Sequence, residues 1–159
     1  MLAALACGQP RVDAPSVECP ATASREAVTL CATAVFLELG PVDQLVGYAL
    51  MKELPLVLAP RRSLDPLLLE EAGTQSILRV PLSELAQVDL ATSAASDSDG
   101  NVAFSTAPGH YVLCARRLRG PVSGESFSWC MGTELVAGSP VKLLIVDNPR
   151  SGLQYIRQD

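Results

Sequence analysis

Short runs of strand-forming residues, each ended by a turn signal, follow one another from Val28 to Val146. Runs of this length, spaced by Gly, Pro, Asp and Ser, favour an antiparallel sandwich over a parallel sheet with long crossovers. The first and clearest run is Val28 to Leu37, which places apolar side chains on one face of a strand and ends at Gly40-Pro41. The sequence therefore predicts a mainly β domain, an antiparallel β-sandwich.

The Leu-rich stretch from Leu45 to Gly73 interrupts this rhythm. Its first half can hold two strands, and its second half contains residues that are typical of the start and the end of a helix. Asp65 suits the cap, Pro66 suits the first helical position and Gly73 suits the stop. The three consecutive leucines between them need burial on more than one side. We therefore expect one short helix in this insertion, packed on the sheet.

The segment from Thr92 to Ala115 combines strands with two well-marked turns. In the first turn, Asp97-Ser98-Asp99-Gly100, the glycine can adopt a positive φ and an aspartate can accept hydrogen bonds from the turn's own amides. Pro108-Gly109 sets the second turn. Two aromatic residues of this segment are expected to enter the core, Phe104 and Tyr111.

This strand–turn–strand pattern resembles a hairpin of the transthyretin-like (prealbumin-like) domains known as carboxypeptidase regulatory-like domains, and of related repeats in bacterial surface proteins. The likeness extends more loosely to Val28 to Leu37. Domains of this group are usually non-catalytic modules for spacing, folding assistance or adhesion. The resemblance therefore implies a β-sandwich without enzymatic activity.

The first residues, Met1 to Pro10, are typical of the end of an export signal and its cleavage site. Ala4-Leu5-Ala6 has the small-x-small pattern of ordinary signal peptidase, and Cys7 resembles the lipidated cysteine of bacterial lipoproteins. Three interpretations stay open, namely lipidation of Cys7, a soluble exported form, and an apolar arm with a buried thiol. We take lipidation as the working prediction. The corresponding domain organisation is residual signal peptide over 1–6, a Pro-, Ala-, Ser- and Thr-rich tether over 7–24, and one β-sandwich domain over 25–159.

Four cysteines remain besides Cys7, an even number that implies disulfides in an exported chain. Four cysteines allow three pairings. Cys114 and Cys130 lie on successive predicted strands joined by a loop rich in Gly and Ser, so they can face each other across an antiparallel pair. Cys19 and Cys31 would then tie the N-terminal segment to the first strand. A zinc site is disfavoured, because the chain has no Cys-x-x-Cys pair and a single histidine.

Few residues offer catalytic chemistry. His110 lies four residues before Cys114, on the same face of a strand, and such a pair can act as a nucleophile and base only if the cysteine is reduced. The sequence holds no Gly-x-Ser-x-Gly elbow, phosphate-binding glycine loop or dinucleotide fingerprint. We therefore predict that the protein is not an enzyme and has no catalytic residues, cofactor or bound metal.

The charge of the chain argues against nucleic acid as a partner. The net charge is −5 and the pI is about 4.8, whereas phosphate binding needs clustered Lys and Arg. The densest basic group is Arg116, Arg117 and Arg119, which we interpret as a solvated rim at the end of a strand. No run reaches the roughly 18 apolar residues that a membrane-spanning helix needs.

Two small-ligand sites are conceivable from the residue types. Asp97, Asp99 and Asn101 present alternating oxygens, although a calcium loop also needs a distal bidentate carboxylate. Trp129 is the best candidate for stacking on a sugar, but its neighbour Cys130 suggests that it packs over a disulfide. A turn bonded to itself and a packed tryptophan are the favoured interpretations.

These observations predict a non-catalytic extracytoplasmic domain, lipid-anchored in the cell envelope (periplasmic or cell surface), with a structural or protein-binding role. Its expected partner is another envelope protein, and it contacts the membrane through the lipid anchor only. The alternative is an extracytoplasmic carbohydrate- or calcium-binding module.

Overall fold

The computed structural model describes residues 12–20, 26–64, 70–71, 77–118 and 127–158. Strands make up 58% and helical residues 6%, so the predicted mainly β class is confirmed. In chain order the elements are β1 (Val28–Leu39), β2 (Leu45–Leu50), β3 (Pro55–Pro60), a 3₁₀ turn (Arg61–Ser63), β4 (Glu70–Glu71), β5 (Ile77–Pro81), α1 (Leu82–Leu85), β6 (Thr92–Ala95), β7 (Asn101–Thr106), β8 (Gly109–Ala115), β9 (Phe127–Leu135), β10 (Val141–Asn148) and β11 (Gly152–Gln158).

The strands form two sheets that pack face to face as a sandwich. The first sheet has the order β11–β10–β1–β2, and β7 pairs with the N-terminal half of β1 on the same edge as β2. The second sheet has the order β4–β5–β9–β8–β3–β6. Side chains from both sheets fill the space between them, among them Leu30, Leu56, Leu113, Leu143, Ile145 and Leu153.

One pair of strands, β1 and β10, is parallel, with Leu30 opposite Val141 and Phe36 opposite Asp147. Strands joined by a short turn must run antiparallel, but β1 and β10 are separated by most of the chain, so no turn fixes their relative direction. Both strands are nearly continuous apolar runs, and Val28 to Val35 is buried throughout. Such runs are typical of strands that are covered on both faces.

The N-terminal segment provides this cover on the outer face of the first sheet. The Val17 N–H donates to Gln158 Oε1 (2.8 Å), and Gln158 Nε2 donates to the Pro15 carbonyl (3.0 Å). The Val17 side chain is buried in a small outer core with Cys31, Val35, Leu144 and Val146. The predicted tether over 7–24 is therefore corrected. Residues 15–19 belong to the folded domain, because the apolar outer faces of β1 and β10 need cover.

The short helix lies outside the Leu-rich stretch in which it was expected. Within Ser63–Gly73, the structure has the end of the 3₁₀ turn and the two-residue strand β4, and residues 65–69 and 72–76 lie outside the described part. The helix α1 instead follows Pro81 and buries Leu85 on the outer face of the second sheet, against Val80 and Val112.

The segment from Thr92 to Ala115 has the predicted strands and turns but is not a hairpin. β6 and β8 belong to the second sheet, whereas β7 pairs with β1 in the first, so the chain crosses between the sheets at each turn. Phe104 is buried in the core and Tyr111 packs against it, as predicted. Gly100 has the predicted positive φ, at +76°.

A buried hydroxyl joins the β2–β3 connection to the end of β6. Ser96 Oγ donates to the Met51 carbonyl and accepts from the Leu54 N–H (2.9 Å), and Ser96 is 3% exposed. We expect Ser96→Ala to lower the free energy of unfolding by about 1–3 kcal/mol, because two buried backbone groups lose their partner. Urea unfolding measures this change, and the exposed Ser98→Ala is the control, expected within about 0.5 kcal/mol of wild type. Equal losses in both variants would contradict the assigned role.

Candidate binding surfaces

Each outer face of the sandwich carries one disulfide. Cys114 and Cys130 are directly opposite residues of β8 and β9, and their disulfide lies in the small core beneath α1. The second disulfide joins Cys19 to Cys31, which fastens the N-terminal segment to β1. Both bridges join the cysteines that were paired from the sequence. Three of the four, Cys31, Cys114 and Cys130, are at most 1% exposed.

His110 and Cys114 do not form a reactive pair in this structure. They lie on the same face of β8, as expected from their spacing, and His110 is exposed opposite Glu134 of β9. The sulfur of Cys114 is bonded to Cys130. A disulfide sulfur carries no thiolate, so this pair offers no nucleophile while the bridge is intact.

The aspartate-rich turn is stabilised by its own side chains. Asp97 Oδ1 accepts hydrogen bonds from the backbone N–H groups of Asp99 and Asn101, both at 2.9 Å. Asn101 Oδ1 accepts from Thr33 Oγ1 at 2.7 Å, which links the turn to β1. Across the described residues, no group of three or more His, Cys, Asp or Glu side chains is arranged to hold a metal ion. The arrangement supports a self-bonded turn.

Trp129 is surrounded by other side chains. Its ring centroid is 5.7 Å from that of Phe127, and the guanidinium carbons of Arg79 and Arg117 lie 5.6 and 5.9 Å from its centroid. Neighbouring residues of a strand point to opposite faces, so Trp129 and Cys130 point apart, and the prediction that Trp129 packs over the disulfide was wrong. A sugar could stack on this ring only by displacing the cations from it.

Two polar contacts join the sheets near Trp129. The Arg117 Nε and Nη2 donate to Asp147 Oδ1 at 3.1 and 2.7 Å. The side chains of Arg117 and Asp147 are only 7% and 2% exposed. The Tyr155 hydroxyl donates to the Trp129 carbonyl at 2.6 Å. Burial raises the pKa of the Tyr155 hydroxyl above its ordinary value, and a backbone hydrogen bond with Ala115 offsets only part of this rise. The phenol therefore stays protonated and remains a donor. These contacts hold the sandwich together.

A cavity of about 410 Å³ opens on the outer face of the second sheet. Its size is in the range of small-molecule pockets. Of the three arginines predicted to form a solvated rim, Arg116 is exposed and lines this cavity. Arg117 is instead buried and paired with Asp147 of the first sheet. Arg119 lies outside the described residues. An apolar group that carries an acid matches this lining chemically. No sequence pattern indicates this cavity, because its walls come from five separate elements, β3, α1, β6, β8 and β9. Its lining side chains include Pro55, Val57, Leu82, Leu85, Ser93, Cys114 and Ser128.

The predicted anchor site, Cys7, lies outside the described residues. In the part of the chain that the structure covers, no helix combines the length and the hydrophobicity needed to cross a bilayer.

Comparisons with known proteins give two structural likenesses. No protein family matches the sequence, and no curated protein matches it. A minor pilin of the Gram-positive pathogen Streptococcus agalactiae is 14% identical, with a TM-score of 0.47 over 78% of this chain and 45% of the pilin chain. A candidate carbohydrate binding protein of Pseudomonas aeruginosa is 12% identical, with a TM-score of 0.42 over 76% of this chain and 88% of that one. The chain thus spans less than half the length of the pilin, and both TM-scores are below 0.5, so neither likeness extends to function.

Proposed function

We propose that the protein is a non-catalytic domain of the cell envelope, held to a membrane by a lipid on Cys7, with a structural or protein-binding role. The two disulfides are the observation that carries this proposal. Disulfides form and persist in oxidising compartments and are rare where thiols are kept reduced. Both disulfides lie in the small outer cores. The packing of these cores therefore includes bonds that form in an oxidising compartment.

The docked N-terminal segment limits how far an anchor at Cys7 can stand from the domain. Pro15 is the first residue with a described contact to the sheet, and it follows Cys7 by eight residues (15 − 7). A fully extended chain spans at most about 3.6 Å per residue, so this linker reaches at most about 29 Å. The Cys19–Cys31 disulfide fixes the end of the linker to β1. An anchored domain would therefore stay close to the bilayer, with its first sheet attached to the linker.

The absence of catalysis is proposed from the site chemistry and from the family resemblance. The single histidine, His110, lies four residues from a cysteine that is oxidised. The strands and turns of Thr92 to Ala115 are present, although β7 pairs in the other sheet and the segment is not a hairpin. We include membership of the carboxypeptidase regulatory-like group in this proposal.

Replacing Cys7 tests the anchor. We expect the full chain, produced in a bacterial host with an intact export leader, to fractionate with membranes and to need detergent for release. Cys7→Ala should move most of it to the soluble extracytoplasmic fraction, because the variant has no site for the lipid that is proposed to hold the domain to the membrane. Ser16→Ala, in the same segment, should fractionate like wild type. Membrane association that persists in Cys7→Ala would rule out the lipid anchor. A cytoplasmic location of both wild type and Cys7→Ala would also rule it out.

The alternative of a carbohydrate- or calcium-binding module has less support in the described residues. The carboxylate of Asp97 is occupied by two amides of its turn, and the ring of Trp129 has two guanidinium groups against it. If calcium raised the melting temperature, or glycans quenched Trp129 fluorescence, the alternative would take precedence.

A further inference from the structure

The cavity of about 410 Å³ lies between the second sheet and residues 82–91, the segment that joins β5 to β6 and that we call the strap. In the sheet order, β9, β8 and β3 separate β5 from β6. Neighbouring strands are about 4.8 Å apart, so the strap must cross at least about 19 Å. The four residues of α1 cover about 6 Å of this distance. The rest of the strap crosses the outer face in an irregular conformation, and the cavity lies beneath it.

The floor of the cavity is formed by outward-facing residues of four strands. Ala115 of β8 belongs to the inner core, so its neighbours Cys114 and Arg116 face outward. Cys130 of β9 also lies in the outer core, so Ser128, two residues before it, points to the same side. The floor is completed by residues of β3 and β6, namely Pro55, Val57 and Ser93. These side chains are therefore on the same side of the sheet as the strap.

Arg116 and Ser128 lie side by side on this floor. The β8–β9 register places Cys114 opposite Cys130, and two further residues along the strands Arg116 comes opposite Ser128. The Arg116 N–H donates to the Pro55 carbonyl (3.2 Å), so Arg116 continues the strand ladder beyond the end of β8. Opposite residues of an antiparallel pair have Cβ atoms about 4.5–5.5 Å apart. The two side chains can therefore reach one group of a ligand together.

Both side chains have hydrogen-bond donors that no described residue uses. Ser128 is 3% exposed, and within the described part of the chain its hydroxyl forms no hydrogen bond. A buried hydroxyl is normally paired, because leaving it without a partner is costly. The Arg116 guanidinium forms no ion pair with a described residue, and no acidic side chain lines the cavity. The floor thus combines a positive charge with a free hydroxyl.

We propose that this cavity binds a small carboxylic acid with a compact hydrocarbon body. The carboxylate would accept a charge-assisted hydrogen bond from the Arg116 guanidinium and a second hydrogen bond from the Ser128 hydroxyl. The hydrocarbon would contact apolar side chains of the floor and the strap, namely Pro55, Val57, Leu82, Leu85 and Val88. Small-molecule sites combine apolar side chains with a few polar groups that fix the orientation of the ligand. This binding does not depend on lipidation of Cys7.

Hexanoate is the probe, and 1-hexanol, which has the same hydrocarbon chain without the charge, is the comparison. The full chain with Cys7→Ser is titrated with each compound and followed by the NMR shifts of its backbone amides. We expect hexanoate to shift the amides of Ser93, Arg116 and Ser128 with a Kd of about 10 mM or tighter. 1-Hexanol should bind at least about fivefold more weakly, because it cannot pair with the guanidinium.

Two substitutions test the assigned donors. Arg116→Met keeps most of the side-chain volume and should weaken hexanoate binding at least about fivefold while leaving 1-hexanol unchanged. Ser128→Ala should weaken hexanoate binding about threefold or more, since one hydrogen bond to the carboxylate is lost. Arg157→Met removes an exposed arginine from β11 of the first sheet and should bind hexanoate like wild type.

The wild-type titrations keep the proposal falsifiable even if Arg116→Met or Ser128→Ala fails to fold. The absence of amide shifts up to about 50 mM hexanoate would overturn the proposal, as would shifts confined to residues outside the cavity. Binding of 1-hexanol as tight as that of hexanoate would show that no carboxylate is recognised. An Arg157→Met variant that loses as much affinity as Arg116→Met would show that net charge, rather than the cavity, governs binding.

Discussion

Gly100→Ala is expected to lower the free energy of unfolding by at least about 3 kcal/mol, because the substitution introduces both backbone strain and a steric clash at this residue. Gly100 has a φ of +76°, which an L side chain adopts only with strain. An added Cβ would also lie 2.6 Å from the backbone oxygen of Ala34. That oxygen cannot move aside, because it accepts from the Met51 N–H while the Ala34 N–H donates to the Gly100 carbonyl. The clash falls where β2 and β7 meet along β1.

Gly138→Ala is the matched control for the backbone strain. Gly138 has a similar φ of +80°, and an added Cβ would meet no atom within 4 Å. This variant should lose about 1 kcal/mol, the cost of the left-handed conformation alone. Chemical denaturation of both variants separates conformational strain from the close approach of β1. Equal losses would show that the contact with Ala34 contributes nothing.

Arg117→Met is expected to lower the free energy of unfolding by about 3–5 kcal/mol at neutral pH. Asp147 is 2% exposed, and its Oδ1 accepts two hydrogen bonds from Arg117. Its Oδ2 has no partner among the described residues. Removing the guanidinium would leave a buried carboxylate without a cation, which costs far more than an ion pair on the surface.

The chain offers an exposed ion pair for comparison. Arg150 Nη2 lies 2.7 Å from Asp43 Oδ1, the same distance as in the buried pair, but these side chains are 70% and 50% exposed. Arg150→Met should change the unfolding free energy by less than about 1 kcal/mol, because water screens the charges. A third variant, Arg117→Met with Asp147→Leu, should recover much of the loss by removing the buried charge. Thermal unfolding of the three variants tests whether burial, rather than distance, decides the effect.

Features that depend on neighbouring residues followed from the sequence. The first strand, the positive φ of Gly100 and the self-bonded Asp97 turn are local consequences of residue type. The Cys114–Cys130 pairing followed because both cysteines lie on strands that are successive in the chain. These features need only a period of two and the conformational preferences of glycine and aspartate.

Features that depend on distant residues did not follow. The parallel pairing of β1 with β10 and the docking of Val17 both depend on which apolar face finds cover after folding. The surroundings of Trp129 depend on Arg79 and Arg117, which approach it from β5 and from the end of β8.

The lipid anchor and the two disulfides can be tested together by one measurement. It is the intact mass of the protein, produced with an export leader, before and after thiol alkylation under denaturing conditions. We expect a chain that begins at Cys7, carries a diacylglyceryl adduct there, and gains no mass on alkylation because the other four cysteines form Cys19–Cys31 and Cys114–Cys130. An unmodified chain with several alkylated thiols would place the protein in a reducing compartment. That result would contradict the envelope assignment and return Cys114 and His110 to consideration as a reactive pair.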